Sequence, residues 1–127
     1  MEKKLALVVI RTRQFETMKE FYENKLGLQL RLYDQASKWC HFKAGGIELG
    51  VQEAKDSEEP STPSSIYVCF QLTDIDAAVI DMRNRGVNFT SDIKENREEG
   101  FRQITAADPD GNKIVFFQYS SFPSKAA

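Results

Sequence analysis

The chain of 127 residues carries one histidine, two cysteines and no long apolar run. Each scarcity closes off a class of function. A single His excludes a His-rich zinc site within one chain, and there is neither a CxxC pair nor an HExxH string. Cys40 and Cys69 stand far apart, the usual pattern of free thiols in a chain without a secretion signal. No stretch approaches the ~20 apolar residues that span a bilayer. Met1 to Leu5 lead straight into a strand-like segment, without the apolar core and small-residue cleavage site of a signal peptide, so the cytoplasm is the expected location. The 17 Lys and Arg are scattered among 19 Asp and Glu, for a net charge of −2. That balance offers no basic stripe to nucleic acid and no polybasic patch to a membrane. A Gly-rich phosphate loop, a Ser-His-Asp order and a paired acid/base motif are also missing.

What is present is a core. Hydrophobic residues make up 41% of the chain and aromatics 11%, enough for one compact domain of this length. Leu5 to Ile10 read as a buried strand. Phe15, Met18, Phe21/Tyr22 and Leu26 recur at helical spacing, with Gly27 as the stop. Three strands follow: one through Leu28, Leu30 and Leu32, one over 38–43, and one through Ile47, Leu49 and Val51, the last two joined by a turn at Gly45-Gly46. Residues 54–63 have no apolar period and read as a linker. Then the pattern restarts. Ile66, Val68, Phe70 and Leu72 alternate as a strand, and Asp74 caps a helix carrying Ile75, Ala78, Val79 and Met82 and closed by Gly86. Residues 87–89 read as a short strand and residues 92–100 as a charged loop. Strands at 101–107 and 114–119 flank a turn at Pro109-Asp110-Gly111, and the tail from Ser120 is expected to fray. The repeat of strand, helix and three strands has a period of about sixty residues, too long for a solenoid, and two copies suggest a pseudo-symmetric α+β domain.

Three strings in order carry a resemblance. Phe21-Tyr22-Glu23-Asn24-Lys25-Leu26-Gly27-Leu28 is similar to F-Y-x-x-x-L-G-[LF]; Asp74-Ile75-Asp76-Ala77-Ala78 to D-[LI]-D-x-A; and Asp108-Pro109-Asp110-Gly111-Asn112-Lys113-Ile114 to D-P-D-G-N-x-[IL]. Together they resemble the vicinal oxygen chelate superfamily, which holds glyoxalase I, fosfomycin-resistance transferases, extradiol dioxygenases and bleomycin-resistance proteins. The resemblance implies an α+β fold of two βαβββ modules, residues 4–53 and 64–119 with the linker 54–63 between them, forming one domain over 1–127 around a shared cup-shaped mixed β-sheet. It also implies a homodimer.

Enzymes of this superfamily hold a divalent metal in the cup. Carried over by position, the first-strand ligands fall on Leu7 and Tyr67, and the last-strand carboxylate of the second half on Val115. Only Glu48 keeps a ligating side chain at its position. Leu and Val cannot ligate and Tyr seldom does, so no metal, cofactor or catalytic residue is expected. Alternation predicts which parity packs on the helices: Ala6, Val8, Ile10, Leu28, Leu30, Leu32, Cys40, Phe42, Ile47, Leu49, Ile66, Val68, Phe70, Ile114 and Phe116. The opposite parity faces the cup: Leu7, Val9, Arg11, Arg31, Tyr33, Trp39, His41, Glu48, Gln52, Tyr67, Cys69, Gln103, Thr105, Val115, Phe117 and Tyr119. That face is aromatic and apolar with a few polar handles, the composition of a small-molecule pocket. Leu7, Trp39, His41, Glu48, Tyr67, Cys69, Gln103, Val115 and Phe117 are the candidate ligand-binding residues.

Two readings of Glu48 stay open. Its partner is Arg31, Arg11 or His41, or it serves as counter-ion or hydrogen-bond acceptor for a ligand, such as a cationic aromatic one steadied by Trp39 or Tyr67. His41 reads as a structural hydrogen-bonder or a ligand contact, and Cys69 as a small packing residue. The string Lys94-Glu95-Asn96-Arg97-Glu98-Glu99-Gly100 resembles the K-x-N-R-S-E-G loop of fosfomycin-resistance transferases, with Glu98 in place of the Ser, and reads as a mobile loop at the cup mouth. The expected function is metal-independent binding of a small hydrophobic or aromatic molecule, as in bleomycin-resistance-type proteins. The competing class is a superfamily enzyme — lyase, isomerase, dioxygenase or thiol transferase — with an atypical site.

Overall fold

The structure, a computed structural model, describes residues 2–57, 59–60 and 67–119. The predicted positions of Ile66, part of the linker and the tail from Ser120 lie outside the described residues. The chain divides into two compact units, Met1–Thr62 and Pro63–Ala127. Both have the order strand, helix, three strands, as the repeat predicts.

The first unit holds β1 (Leu7–Thr12), α1 (Phe15–Glu20), β2 (Gln29–Asp34), β3 (Trp39–Ala44) and β4 (Ile47–Glu53). Its sheet runs β1-β4-β3-β2, with β1 parallel to β4 and the other neighbours antiparallel. Along the helix face Ile10, Cys40, Phe42, Leu49 and Val51 bury against Phe15, Met18, Phe21 and Tyr22. The helix does not continue as regular α to Leu26. It widens into a π-helical turn at Phe21–Lys25, where the Leu26 amide donates to the Phe21 carbonyl at 2.9 Å. The extra residue in that turn allows the adjacent rings of Phe21 and Tyr22 to bury together, edge to face at 5.2 Å. Gly27 then takes φ +74°, which favours glycine, and turns the chain into β2.

One expected facing is corrected. A bulge between Leu30 and Leu32 leaves Arg31 as an extra residue, so Leu32 pairs with His41 and Tyr33 with Cys40. The strand's parity reverses beyond the bulge. Tyr33 therefore joins the helix side: its ring stacks on Phe15 at 6.2 Å, its hydroxyl donates to Glu16, and the Lys19 ammonium lies 4.5 Å above it. Leu32, expected on the helix side, emerges on the other face, 46% exposed.

The second unit holds β5 (Val68–Gln71), α2 (Ile75–Asn84), β6 (Lys94–Asn96), β7 (Phe101–Ala107) and β8 (Lys113–Tyr119), in the sheet order β5-β8-β7-β6. Asp74 caps α2 by accepting from the Ala77 amide at 3.1 Å. The Val87 amide returns to the Met82 carbonyl through Gly86 at φ +94°, closing the helix with a left-handed cap. Ile75, Val79, Met82, Val87, Ile104, Ala106, Ile114 and Phe116 form the core. Residues 87–89 do not form the expected strand, and only Phe89 makes a single bridge, to Ala106. The charged segment 92–100 is not all loop. Lys94, Glu95 and Asn96 pair with Gln103, Arg102 and Phe101, and Asn96 closes the hairpin by accepting from the Glu99 amide while Gly100 turns at φ +73°.

No described helix is long and apolar enough to cross a membrane.

Candidate functional site

The face of the first sheet turned away from α1 gathers four of the candidate residues. Strand register sets them in rows: Leu7 beside Glu48, Val9 beside Gly50, and Gly50 beside His41, with Leu32 beyond. Trp39 follows two residues before His41, their rings 5.8 Å apart. The indole lies across Gly50. A Cβ built on Gly50 would stand 2.7 Å from Trp39 Cη2 and 3.3 Å from a Val9 methyl. Glycine in this strand interior is thus a seat for the ring.

Glu48 has both carboxylate oxygens engaged. Oε1 meets His41 Nδ1, and Oε2 accepts from Arg31 Nε at 2.9 Å. The bulge in β2 that expels Tyr33 also brings Arg31 over the sheet to make this contact. The Glu48 and His41 side chains are 23% and 24% exposed, so the pair is partly dehydrated and stronger than a fully solvated bridge. Arg31 and His41 are thus two of the three partners expected for Glu48. Among the described residues no acceptor takes the Arg31 Nη groups or His41 Nε2.

A metal does not suit this set. Leu7 stands directly across from Glu48, and the carboxylate is already shared between two nitrogens. Among the described residues no three His, Cys, Asp or Glu side chains gather where they would hold a metal ion.

In the second unit Cys69, Gln103, Val115 and Phe117 share the face turned away from α2 by register: Cys69 beside Val115, and Gln103 beside Phe117. Tyr67 lies just before β5, 59% exposed, with the Lys113 ammonium 4.6 Å over its ring. The residue across from Val115 is therefore Cys69, whereas the sixty-residue repeat equates Tyr67 with Leu7. Lys94 to Glu98, with Phe101 and Gln103, line a cleft of about 510 Å³ beside the β6–β7 hairpin. The two cysteines differ sharply. Cys69 is exposed, while Cys40 is buried on the helix side, where burial pushes its thiol up to about 11.

Sequence reasoning placed Arg31 on the cup face and among the partners of Glu48, as the structure does, and passed over Gly50. A glycine interrupting the alternation Ile47, Leu49, Val51 is a sign of close approach, and that sign was present. The bulge that positions Arg31 left none.

The sequence model of the Glyoxalase/Bleomycin resistance protein/Dioxygenase superfamily matches residues 4–116, and the chain belongs to that family. The uncharacterized protein YraH of Bacillus subtilis (strain 168) is 24% identical over 125 residues, covering 91% of this chain and 98% of YraH. A glyoxalase/bleomycin resistance protein/dioxygenase from Nocardioides superposes with a TM-score of 0.76 at 24% identity, covering 96% of this chain and 87% of its own. TioX from Micromonospora sp. ML1 does so with a TM-score of 0.73 at 17% identity, covering 92% and 99%. At these identities the solved structures establish the fold, the vicinal oxygen chelate fold with two βαβββ modules.

Proposed function

We propose that this protein binds a small planar, hydrophobic or aromatic molecule on the first unit's sheet face without a metal ion, in the manner of bleomycin-resistance-type members of its family. The observation that carries the reading is Trp39 seated on Gly50 against Val9, beside the partly buried Glu48–His41 pair and the more open Arg31. An aromatic shelf with a few fixed polar groups is the ordinary make-up of a ligand site. The family position that would complete a metal site around Glu48 holds Leu7, which favours binding over metal-assisted chemistry. By the same resemblance the protein acts as a homodimer, and Tyr67, Cys69, Gln103, Val115 and Phe117 give the second unit a ligand-contacting face of its own.

Elemental analysis of chelator-treated protein, before and after incubation with Zn²⁺, Ni²⁺, Mn²⁺ and Fe²⁺ and desalting, is the deciding experiment. Substoichiometric metal throughout, with saturable quenching of the single Trp39 by members of an aromatic compound library, is the expected result. About one metal per chain, lost in Glu48→Ala, would overturn the reading in favour of a metal-dependent superfamily enzyme.

A further inference from the structure

The charge arrangement around Trp39 narrows the ligand class. We infer that the molecule bound there is an aromatic carboxylate, its ring on Trp39 and its carboxylate on the outer edge of Arg31. The inference rests on the binding reading above and adds the sign of the ligand's charge.

Glu48 meets Arg31 at Nε, 2.9 Å away. A guanidinium tethered in this way keeps its orientation while the two Nη groups, which form a planar fork, make no hydrogen bond among the described residues. That fork matches the two oxygens of a carboxylate. Half of the Arg31 side chain, 52%, is open to solvent, so a ligand reaches it without displacing the pair.

The surrounding charges agree. Lys43 is on the same face as Trp39 and His41 by alternation along β3, and pairs in register with Glu48. Among the described residues of this face both anions are engaged. Glu48 is neutralised by Arg31 and hydrogen-bonded to His41, and Asp34, at the far end of β2, accepts from the Ala36 and Ser37 amides of its own turn. The face therefore offers fixed positive charge next to an apolar shelf of Trp39, Val9 and Leu32. An arene carrying a carboxylate satisfies both parts. A cationic arene would meet Arg31 and Lys43 and find Glu48 already bonded.

The test titrates the full-length protein with three probes of one shape: 4-nitrobenzoate, 4-nitrobenzamide and 4-nitrobenzylamine. Binding is read by Trp39 quenching with inner-filter correction and confirmed by calorimetry. The benzoate is expected to bind one per site and about tenfold or more tighter than the amide, with the benzylamine weakest, the size of effect expected for charge-assisted bonds. Arg31→Lys, which keeps the charge but loses the fork, is expected to weaken benzoate far more than amide and so erase most of the preference between them. Equal binding of benzoate and amide, or preference for the benzylamine, would overturn the inference and leave aromatic binding on Trp39 standing. Retention of the full benzoate preference in Arg31→Lys would overturn the assignment to Arg31. No saturable response to any of the three would overturn the inference, and if the wider library also fails to quench Trp39 the binding reading falls with it.

Discussion

Gly50 shows how much one missing side chain can set. It is buried in the middle of β4, where a strand position normally favours a β-branched or aromatic residue. Its value lies in what rests on it. A methyl at this position comes within 2.7 Å of the indole edge, well inside contact distance, and the indole, being the free end of a side chain, is what moves. Gly50→Ala is therefore expected to fold with little change in melting temperature, because the ring yields and alanine reduces backbone entropy in the unfolded chain. The same variant should shift the Trp39 emission maximum and near-ultraviolet dichroism, and weaken aromatic ligands about tenfold through the tilted shelf. Unchanged Trp39 spectra and unchanged affinity would remove Gly50 from the site. At this scale the sequence was only partly legible. Trp39, His41 and Glu48 were readable by alternation because β3 and β4 are regular. Leu32 and Tyr33 were misjudged together, because alternation along β2 is broken by one unpaired residue that no local signal announces.

Elements obey their signals where a single residue type meets a specific backbone need. Asp108 is such a residue. It is buried, and its Oδ1 accepts from the amides of Asp110 and Asn112 at 3.0 and 2.9 Å while Oδ2 accepts from the Asn112 side chain at 2.8 Å. Gly111, at φ +88°, returns its amide to the Asp108 carbonyl. The D-P-D-G-N string thus folds the β7–β8 turn, and the Asp108 carboxylate holds its backbone. Asp108→Ala leaves three donors without their acceptor, two of them on a buried Asn112, and is expected to cost about 2–3 kcal/mol in urea unfolding. Asp108→Asn, which keeps one carbonyl acceptor, should cost less. A loss below about 0.5 kcal/mol for the alanine variant would show the turn to be held by its glycine and proline instead. The same logic explains the one missed element. Residues 94–96 are all charged or polar, so no apolar alternation marks β6. Its pairing is fixed by the turn at Asn96 and Gly100, not by burial.

For the molecule as a whole, the repeat of two βαβββ units was legible because each unit repeats the same sequence of periods and stops. What a repeat cannot convey is register. Leu7 faces Glu48 in the first unit, but Cys69, two residues past the position equivalent to Leu7, faces Val115 in the second. A two-residue slide preserves which face every side chain takes, so the hydrophobic pattern is blind to it. The two thiols report on the two units separately. Cys69 is exposed on the second, whereas Cys40 is buried against α1 in the first with its thiol raised from 9.0 to about 11. Native protein should therefore give one fast-reacting thiol with a disulfide reagent, lost in Cys69→Ser, and a second that reacts only as the first unit opens. The alkaline limb follows in sign. An unfolded Cys40 ionises near 9.0 and the native one only near 11, so the unfolded state releases its proton first and stability falls as pH rises through this window. The effect is at most about 1.4 kcal/mol per pH unit for one proton. Urea midpoints taken from pH 8 to pH 11 should fall more steeply for wild type than for Cys40→Ala, so that the gap between them narrows as pH rises. Parallel lines would mean that the buried thiol is reached by water, and that the core beneath Trp39 and His41 is looser than its packing indicates.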